Sequence, residues 1–309
     1  MQFVFQFPMR AMNHWDDWIA GHRLGDLAAA AEEAGFSAVS TTDHPFPDQK
    51  WLAGGGHHAF DPFVSLSFMA AATTRIRLLT MLIVAGYRNP YITAKAAASV
   101  DNLSGGRLVL GMGAGYEPNE FEVLGASFAD RGPRFDSALV AMRAAWTGEP
   151  VNLDDPYYPA HGHVMLPPPA QAGGPPIWFG GNSTAALRRV ADVGDGWMPM
   201  EQTEAVAKVT GTPALGLGEL ADKVGWLRER RRANGRDGEF VVSYAPSGGR
   251  DVDTHAAAIA AGIAAYAASG ATHVLVESRA RSFDDCLREL GLYRQLIADA
   301  APERPAASL

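Results

Sequence analysis

Residues 108–117 read Leu-Val-Leu-Gly-Met-Gly-Ala-Gly-Tyr-Glu, a short apolar run that passes into a glycine-rich segment. The apolar part, Leu108–Met112, has the length and composition of a buried strand. Similar runs recur along the chain, and longer alanine-rich amphipathic stretches separate them. Strands that alternate with helices indicate parallel βα units.

Eight candidate strands follow this pattern: Phe3–Phe7, Ser37–Thr41, Arg77–Val84, Leu108–Met112, Ile177–Gly180, Gly196–Met198, Phe240–Tyr244 and His273–Glu277. Eight strands, each followed by a helix, predict an α/β fold of the (β/α)8 TIM-barrel type and disfavour an open doubly wound sheet. We expect one domain over residues 1–300 and a C-terminal tail over residues 301–309. The pairs Asp61-Pro62 and Asn89-Pro90 predict helix starts, because a capping residue precedes proline at the first helical position.

Composition excludes several classes of protein. With 47% hydrophobic and 19% charged residues, the 309-residue chain can bury a full core. Its net charge of −8 argues against nucleic acid as a partner, and no apolar run approaches the roughly 18 residues of a membrane span. The single cysteine, Cys286, cannot close an intrachain disulfide, and the first residues lack the features of a secretion signal. We expect a cytoplasmic protein that does not bind membranes.

Three connections are too long for tight barrel turns: Asp43–Phe60, Gly113–Pro133 and Glu149–Pro176. Connections of this length in compact domains are usually functional or disordered. We expect all three to be insertions at the C-terminal mouth of the barrel, where the active sites of this fold lie.

Two residues at the end of the second strand are candidates for chemistry. Asp43 and His44 place a carboxylate beside an imidazole, which can orient a ligand or move a proton near neutral pH. The alternative is that Asp43 caps a turn and His44 is an ordinary loop histidine.

The glycines after the fourth strand would let a flat ligand approach the backbone. They do not form a dinucleotide-binding fingerprint, because the third glycine of that motif would fall at Tyr116. Glu117 and Glu120 are expected in the first turn of the next helix, where the helix dipole favours carboxylates whether or not they touch a substrate.

The end of the fifth strand, Gly180-Gly181-Asn182-Ser183, leads into another helix. Free backbone N–H groups at a helix N-terminus suit a phosphate, although Asn182 or Ser183 could equally be only a helix cap. Metal is a poor explanation for any of these sites. His57-His58 are adjacent, His161 and His163 lie in a proline-rich loop, and the sequence contains neither a His-Glu-x-x-His motif nor a cysteine cluster. A serine-hydrolase elbow of the Gly-x-Ser-x-Gly type is also absent.

Taken together, these segments resemble the luciferase-like monooxygenase family of flavin and deazaflavin oxidoreductases, in particular its coenzyme F420-dependent branch. The resemblance covers Phe3 to about Met200. It rests on short segments in a specific order: 31–36, 42–44, 71–78, 88–90 with 94–95, 103–111, 120–121, 131–132, 176–181 and 194–197.

The resemblance implies a barrel whose mouth holds a tricyclic ring. A bulge in the third strand at Met81-Leu82, often with a non-prolyl cis peptide, would press on the ring from behind. Asp43 and His44 would lie at the ring edge, the Ala114-Gly115 backbone would run along the ring, and residues 180–183 would hold the cofactor phosphate. In the sugar-phosphate dehydrogenase branch a glutamate acts as acid where this chain has Tyr116 beside Glu117. His44 is therefore the better candidate for proton handling, with Tyr116 and Glu117 as further catalytic candidates.

The implied function is hydride transfer between F420 and a small organic substrate. An FMN-dependent monooxygenase that consumes reduced flavin and oxygen is the alternative, since the two cofactors share a ring shape and a phosphate. A protein that binds the ring without catalysis is the third possibility. Barrels of this family commonly pair through helices near the third and fourth strands, so a homodimer is expected.

Overall fold

The chain forms a closed barrel of eight parallel strands with helices between them. The structure is a computed structural model that describes residues 1–9, 15–18, 20–204, 207–208 and 211–300. The strands are β1 (Gln2–Gln6), β2 (Ala38–Thr41), β3 (Arg77–Thr80), β4 (Ile83–Val84), β5 (Leu108–Gly113), β6 (Val151–Leu153), β7 (Ala160–His163), β8 (Ile177–Gly180), β9 (Gly196–Met198), β10 (Val241–Tyr244) and β11 (His273–Glu277). The helices are α1 (Gly21–Ala34), α2 (Gln49–Ala53), α3 (Pro62–Ala71), α4 (Pro90–Leu103), α5 (Pro118–Val123), α6 (Arg131–Ala145), α7 (Thr184–Asp192), α8 (Leu217–Ala233), α9 (Val252–Ala268) and α10 (Phe283–Ala300). The predicted tail, 301–309, lies outside the described residues.

The barrel strands follow the order β3-β2-β1-β11-β10-β9-β8-β5-β4, and pairing between β3 and β5 closes the ring. All eight predicted strands are confirmed, with boundaries that differ by one residue at most, except that the third divides into β3 and β4 at residues 81–82. β4 continues the third barrel strand, because Ile83 and Val84 pair with Met112 and Gly113 of β5.

Strand alternation separates two apolar layers. Phe3 and Phe5 belong to the large core between the strands and the helices, whereas Val4 belongs to a smaller cluster inside the barrel. Inward residues of other strands complete this inner cluster: Ala38, Leu79, Met81, Val109, Trp178, Met198, Ala245 and Leu275. The barrel interior is therefore filled, and its mouth can hold a ligand above a solid floor.

Both predicted helix starts are confirmed. The Asp61 carboxylate accepts hydrogen bonds from the backbone N–H groups of Phe63 (2.9 Å) and Val64 (3.1 Å) at the start of α3. The Asn89 side chain accepts from Tyr91 N at 2.9 Å at the start of α4. These caps satisfy N–H groups that have no partner within their own helix.

The third predicted mouth insertion, residues 149–176, lies beside the mouth only in part. Its middle reaches the starts of α4 and α6, where the Tyr91 hydroxyl donates to Tyr158 O (2.8 Å) and the Arg134 guanidinium lies over the Tyr157 ring. Residues 149–176 connect α6 to β8, so the segment ends at the N-terminal end of the barrel. There the Gln171 side chain donates to Asp101 Oδ1 (2.7 Å) and to Leu108 O at the start of β5 (2.8 Å). The segment also forms the antiparallel pair β6–β7, which the sequence did not predict. The other two long connections, after β2 and after β5, do begin at the mouth.

Candidate active site

A buried histidine–glutamate pair stands at the mouth. His44 follows β2, is 8% exposed, and its Nδ1 lies 2.9 Å from Glu120 Oε2. Glu120 belongs to α5, which follows the glycine-rich end of β5. His44 Nε2 makes no hydrogen bond to any residue that the structure describes. Within the described part of the chain, the pair therefore leaves one imidazole nitrogen without a hydrogen-bond partner.

Three donors surround the Glu120 carboxylate, which is completely buried. Besides His44, the Tyr87 hydroxyl donates to Oε2 at 2.8 Å and Phe46 N donates to Oε1 at 3.0 Å. Burial alone would raise the pKa of Glu120, but the hydrogen bonds from His44, Phe46 N and Tyr87 outweigh it and lower the pKa below its ordinary value. Glu120 is therefore ionised at neutral pH.

Sequence reasoning did not single out Glu120. We expected it in the first turn of a helix, where the helix dipole would explain it, and it does lie there. Its hydrogen-bond partner His44 is 76 residues away in the sequence. The available signal was the Glu120-Phe121 segment of the family resemblance, which carried no assigned role.

Asp43 is engaged by other residues of the protein. Its carboxylate is 2% exposed and receives two hydrogen bonds from Arg88, at 2.6 and 2.8 Å, and one from Val84 N at 3.1 Å. Burial raises the pKa of Asp43, and the hydrogen bonds from Arg88 offset only part of that rise. Asp43 therefore neither caps a local turn nor points a free carboxylate at the mouth. It fixes the chain before His44 against β4.

The floor of the mouth is formed by the interrupted third strand. The peptide bond between Met81 and Leu82 is cis, as the family resemblance implied. Met81 belongs to the inner cluster, and the half-buried Leu82 packs against it. A Cβ added to Gly113 would lie 2.8 Å from Leu82 Cδ1, and one added to Gly180 would overlap Leu82 Cδ2. These two glycines therefore make room for the Leu82 side chain across the top of the barrel interior.

The glycine-rich end of β5 lies beside this floor. Gly115 has a φ of +80°, and a Cβ there would lie 2.6 Å from Val84 and 2.7 Å from Phe121, so glycine is required on both counts. Ala114 is half-buried.

Tyr116 is 43% exposed, with its ring centroid 6.2 Å from that of His44. Burial, with Glu117 and Glu120 nearby, raises the pKa of Tyr116 to about 12, so its hydroxyl stays protonated and can donate. Glu117 accepts from Asn119 N at 3.3 Å and is the cap of α5.

At the end of β8, the candidate phosphate site offers backbone N–H groups, because the side chains of Asn182 and Ser183 bond to other parts of the protein. The Asn182 side chain donates to Met200 O (2.8 Å) and Pro213 O (3.0 Å) and accepts from Met200 N (3.2 Å). The Ser183 hydroxyl accepts from Ala186 N at 3.2 Å as the cap of α7. Ser183 is therefore the helix cap that the sequence left open, and Asn182 ties the loop to Met200 and Pro213. The first N–H groups of α7 still lack partners within the helix and can bind an anion after Gly181, whose φ is +101°.

Aromatic rings enclose His44 on its other sides. The Trp51 ring lies 4.5 Å from the His44 ring with an interplanar angle of 32°, and the His57 ring meets it edge-on at 4.9 Å. Trp51 belongs to α2, in the long connection after β2.

The described residues contain no cluster of three or more histidine, cysteine or acidic side chains that could hold a metal ion. None of their helices meets the length and hydropathy of a membrane span.

Four features at the mouth together suit a planar ring that carries a phosphate: the Met81-Leu82 floor, the glycine-rich end of β5, the N-terminus of α7, and an imidazole nitrogen of His44 without a partner among the described residues. They lie at the C-terminal ends of the strands, where the active sites of TIM-barrel enzymes are found. The chain belongs to the luciferase-like monooxygenase family, whose sequence profile matches residues 1–269.

Known proteins of this kind include F420-dependent enzymes and monooxygenases. The F420-dependent glucose-6-phosphate dehydrogenase of Gordonia bronchialis is 34% identical over 183 residues, which cover 57% of this chain and 52% of the dehydrogenase. The chain thus matches about half the length of that relative. Among solved structures, monooxygenase RslO1 from Streptomyces bottropensis has a TM-score of 0.79 at 20% identity, covering 97% of this chain and 99% of its own. An F420-dependent secondary alcohol dehydrogenase, in complex with an F420-acetone adduct, has a TM-score of 0.74 at 17% identity, covering 98% and 100%. The chain is thus a luciferase-like oxidoreductase.

Proposed function

We propose that the protein is an oxidoreductase that uses coenzyme F420 for hydride transfer to or from a small organic substrate. The observation that carries the proposal is His44 at the mouth, with Nδ1 tied to the buried Glu120 and Nε2 free of described partners. The similarity to F420-dependent dehydrogenases supports the choice of cofactor.

The proposal gives each part of the site a role. Met81 and Leu82 would support the deazaflavin ring from behind, and the Ala114-Gly115 backbone would lie along it. The N-terminus of α7, entered through Gly180-Gly181, would hold the phosphate through backbone N–H groups. Asn182 and Ser183 would shape this loop rather than bind the cofactor through their side chains.

A bound deazaflavin would supply the hydride chemistry. Nε2 of His44 would exchange the accompanying proton with the substrate oxygen. Tyr116 would donate a hydrogen bond to that oxygen, and Glu117 would hold the start of α5 beside it. Asp43 would act indirectly, by holding His44 in place through Arg88 and Val84. The aromatic surroundings of His44 would exclude water from the reacting atoms.

An FMN-dependent monooxygenase is the second candidate, and one observation favours it. The F420 tail carries several carboxylates, yet two of the three arginines that could form a basic mouth are already paired with carboxylates of the protein. Arg88 binds Asp43 and Asp61, Arg131 donates to Gly115 O and Phe128 O, and Arg134 binds Asp130. FMN has no such tail to neutralise.

Turnover assays separate these functions. The protein is incubated without oxygen with reduced F420 and a panel of small ketones and aldehydes, and in parallel with FMN, NADH and a flavin reductase while oxygen uptake is followed. Reduction that depends on F420 is the expected result, and it should be lost in His44→Ala while cofactor binding persists. Product formation coupled to oxygen uptake would instead establish the monooxygenase. Cofactor binding without turnover in either assay would make the protein a carrier.

Assembly and location rest on sequence reasoning. We propose that residues 1–300 act as one domain, that two chains form a homodimer, and that the protein works in the cytoplasm. Light scattering of the purified protein tests the dimer.

A further inference from the structure

We infer that Glu120 is the positioning residue of this active site: it holds His44 in the tautomer with its proton on Nδ1, so that Nε2 is the nitrogen that exchanges a proton with the substrate. The inference rests on the proposed function for its chemical consequence. The tautomer itself follows from the hydrogen bonds alone.

The directions of the hydrogen bonds to Glu120 determine which nitrogen of the neutral His44 ring carries the proton. An ionised carboxylate can only accept, so each of its three neighbours must donate. Tyr87 and Phe46 donate through a hydroxyl and a backbone N–H. The third neighbour is His44 Nδ1, which must therefore carry a proton even in the neutral imidazole. In that form Nε2 has a free lone pair.

Contacts from three elements fix the position of the Glu120 carboxylate, so it can hold the imidazole of His44 in one orientation. Its own helix α5 follows β5, Phe46 follows β2, and Tyr87 lies in the short turn Ala85–Tyr87 after β4. The Tyr87 ring also packs edge-on against Phe121, with centroids 4.8 Å apart. The carboxylate thus joins the ends of three neighbouring barrel strands.

The chemical consequence concerns the proton that accompanies hydride transfer. When an alcohol is oxidised, the C–H bond gives its electron pair and hydrogen to the cofactor, which is reduced. The O–H proton passes to Nε2 as the C=O bond forms. In the reverse direction Nε2 returns the proton to the carbonyl oxygen. The Glu120 carboxylate, 2.9 Å from Nδ1, stabilises the doubly protonated ring in either direction.

Other groups near His44 do not substitute for Glu120. In the part of the chain that the structure describes, several titratable or charged side chains face His44 or its partner from the surrounding elements. They are His57, Tyr87, Tyr116 and Glu117, together with the ion-paired group of Asp43, Arg88 and Asp61. Among the described residues, Glu120 is the carboxylate that hydrogen-bonds the imidazole.

The first test needs no activity. Nitrogen-15 NMR of histidine-labelled protein, with the His44 signals assigned by comparison with His44→Asn, reports which ring nitrogen is protonated in the neutral ring. The expected result for the wild type is a proton on Nδ1. A proton on Nε2 would overturn the inference, and this result does not depend on whether the protein turns over F420 or FMN.

The second test compares Glu120→Gln with Glu122→Gln, an exposed position on the same helix. For Glu120→Gln we expect F420 affinity within about threefold of the wild type and kcat/KM lower by about 100-fold, in the range that loss of an orienting partner produces. In ketone reduction, where Nε2 gives the proton, the alkaline limb of its pH–rate profile should move to lower pH, because the anion that favours the protonated imidazole is gone. Tyr87→Phe keeps the carboxylate, and its kcat/KM should fall by less than about tenfold.

An unchanged pH profile in Glu120→Gln, or equal losses of kcat/KM in Glu120→Gln and Glu122→Gln, would refute the inference. If Glu120→Gln does not fold, the NMR result on the wild type decides.

Discussion

The carboxylate of Asp43 and the guanidinium of Arg88 form a two-point ion pair, with Nη1–Oδ2 and Nη2–Oδ1 distances of 2.6 and 2.8 Å. Asp43 follows the second barrel strand, and Arg88 follows the interrupted third strand. Asp43 Oδ2 also accepts from Val84 N, directly after the Met81-Leu82 floor. The pair therefore sets the position of His44 relative to the surface on which a ring would rest.

Breaking this pair should destabilise the protein strongly. Arg88→Met leaves a buried carboxylate without its partner, which costs about 3–5 kcal/mol in comparable sites. We expect a loss of that size in the free energy of unfolding measured by urea denaturation. Asp61→Asn is the control, because it removes only the exposed arm of the pair, 3.1 Å from Arg88, and asparagine still caps α3. Its cost should stay below about 1 kcal/mol. Equal effects from the two substitutions would show that Asp43 does not depend on Arg88.

The floor of the site can be tested by adding a single carbon. In Gly180→Ala the new Cβ meets the Leu82 side chain and pushes it toward the space proposed for the ring. We expect F420 affinity to fall at least about tenfold, equivalent to about 1.4 kcal/mol, in a fluorescence titration.

The matched control for this change is Gly218→Ala in α8. No described atom lies within 4 Å of the added Cβ there. Alanine in a helix should raise stability by about 0.5–1 kcal/mol and leave binding unchanged. Unaltered affinity in Gly180→Ala would contradict the placement of the ring over Leu82.

Sequence patterns predicted the barrel better than the active site, for a physical reason. The strand at Leu108–Gly113 is visible because its burial follows from its own residues. By contrast, Glu120 and His44 are 76 residues apart, and Asp43 and Arg88 are 45 apart, so no local spacing links them. Asp43-His44 could be singled out because the two are adjacent at a strand end. The course of residues 149–176 could not be predicted from local patterns either. It depends on contacts with residues that are distant in the sequence, such as those of Gln171 with Asp101 and Leu108.

A buried histidine at the N-terminal end of the barrel, His273, should make the stability of the protein fall in mild acid. Burial, with the positive charges of the N-terminus and Arg77, lowers the pKa of His273 from 6.5 to about 4. Between these values the unfolded chain binds a proton that the folded protein does not, so stability falls as the pH drops from about 6.5 to about 4. The slope is about 1.4 kcal/mol per pH unit, or about 3 kcal/mol in total.

Urea denaturation of His273→Gln at several pH values measures this contribution. The decline between pH 6.5 and 4 should be shallower in the variant than in the wild type. The exposed His22, changed to Gln, should leave the slope as it is. Parallel curves for the wild type and His273→Gln would show that His273 is not held neutral in the barrel.

Binding of a deazaflavin at the mouth of this barrel can be measured by an equilibrium titration. The wild-type protein is titrated with oxidised F420 and, under the same buffer and salt conditions, with FMN, and the dissociation constants are compared. We expect saturable binding of F420 at one site per chain, with a lower Kd than for FMN. Tighter binding of FMN, or no saturable binding of F420, would contradict this expectation.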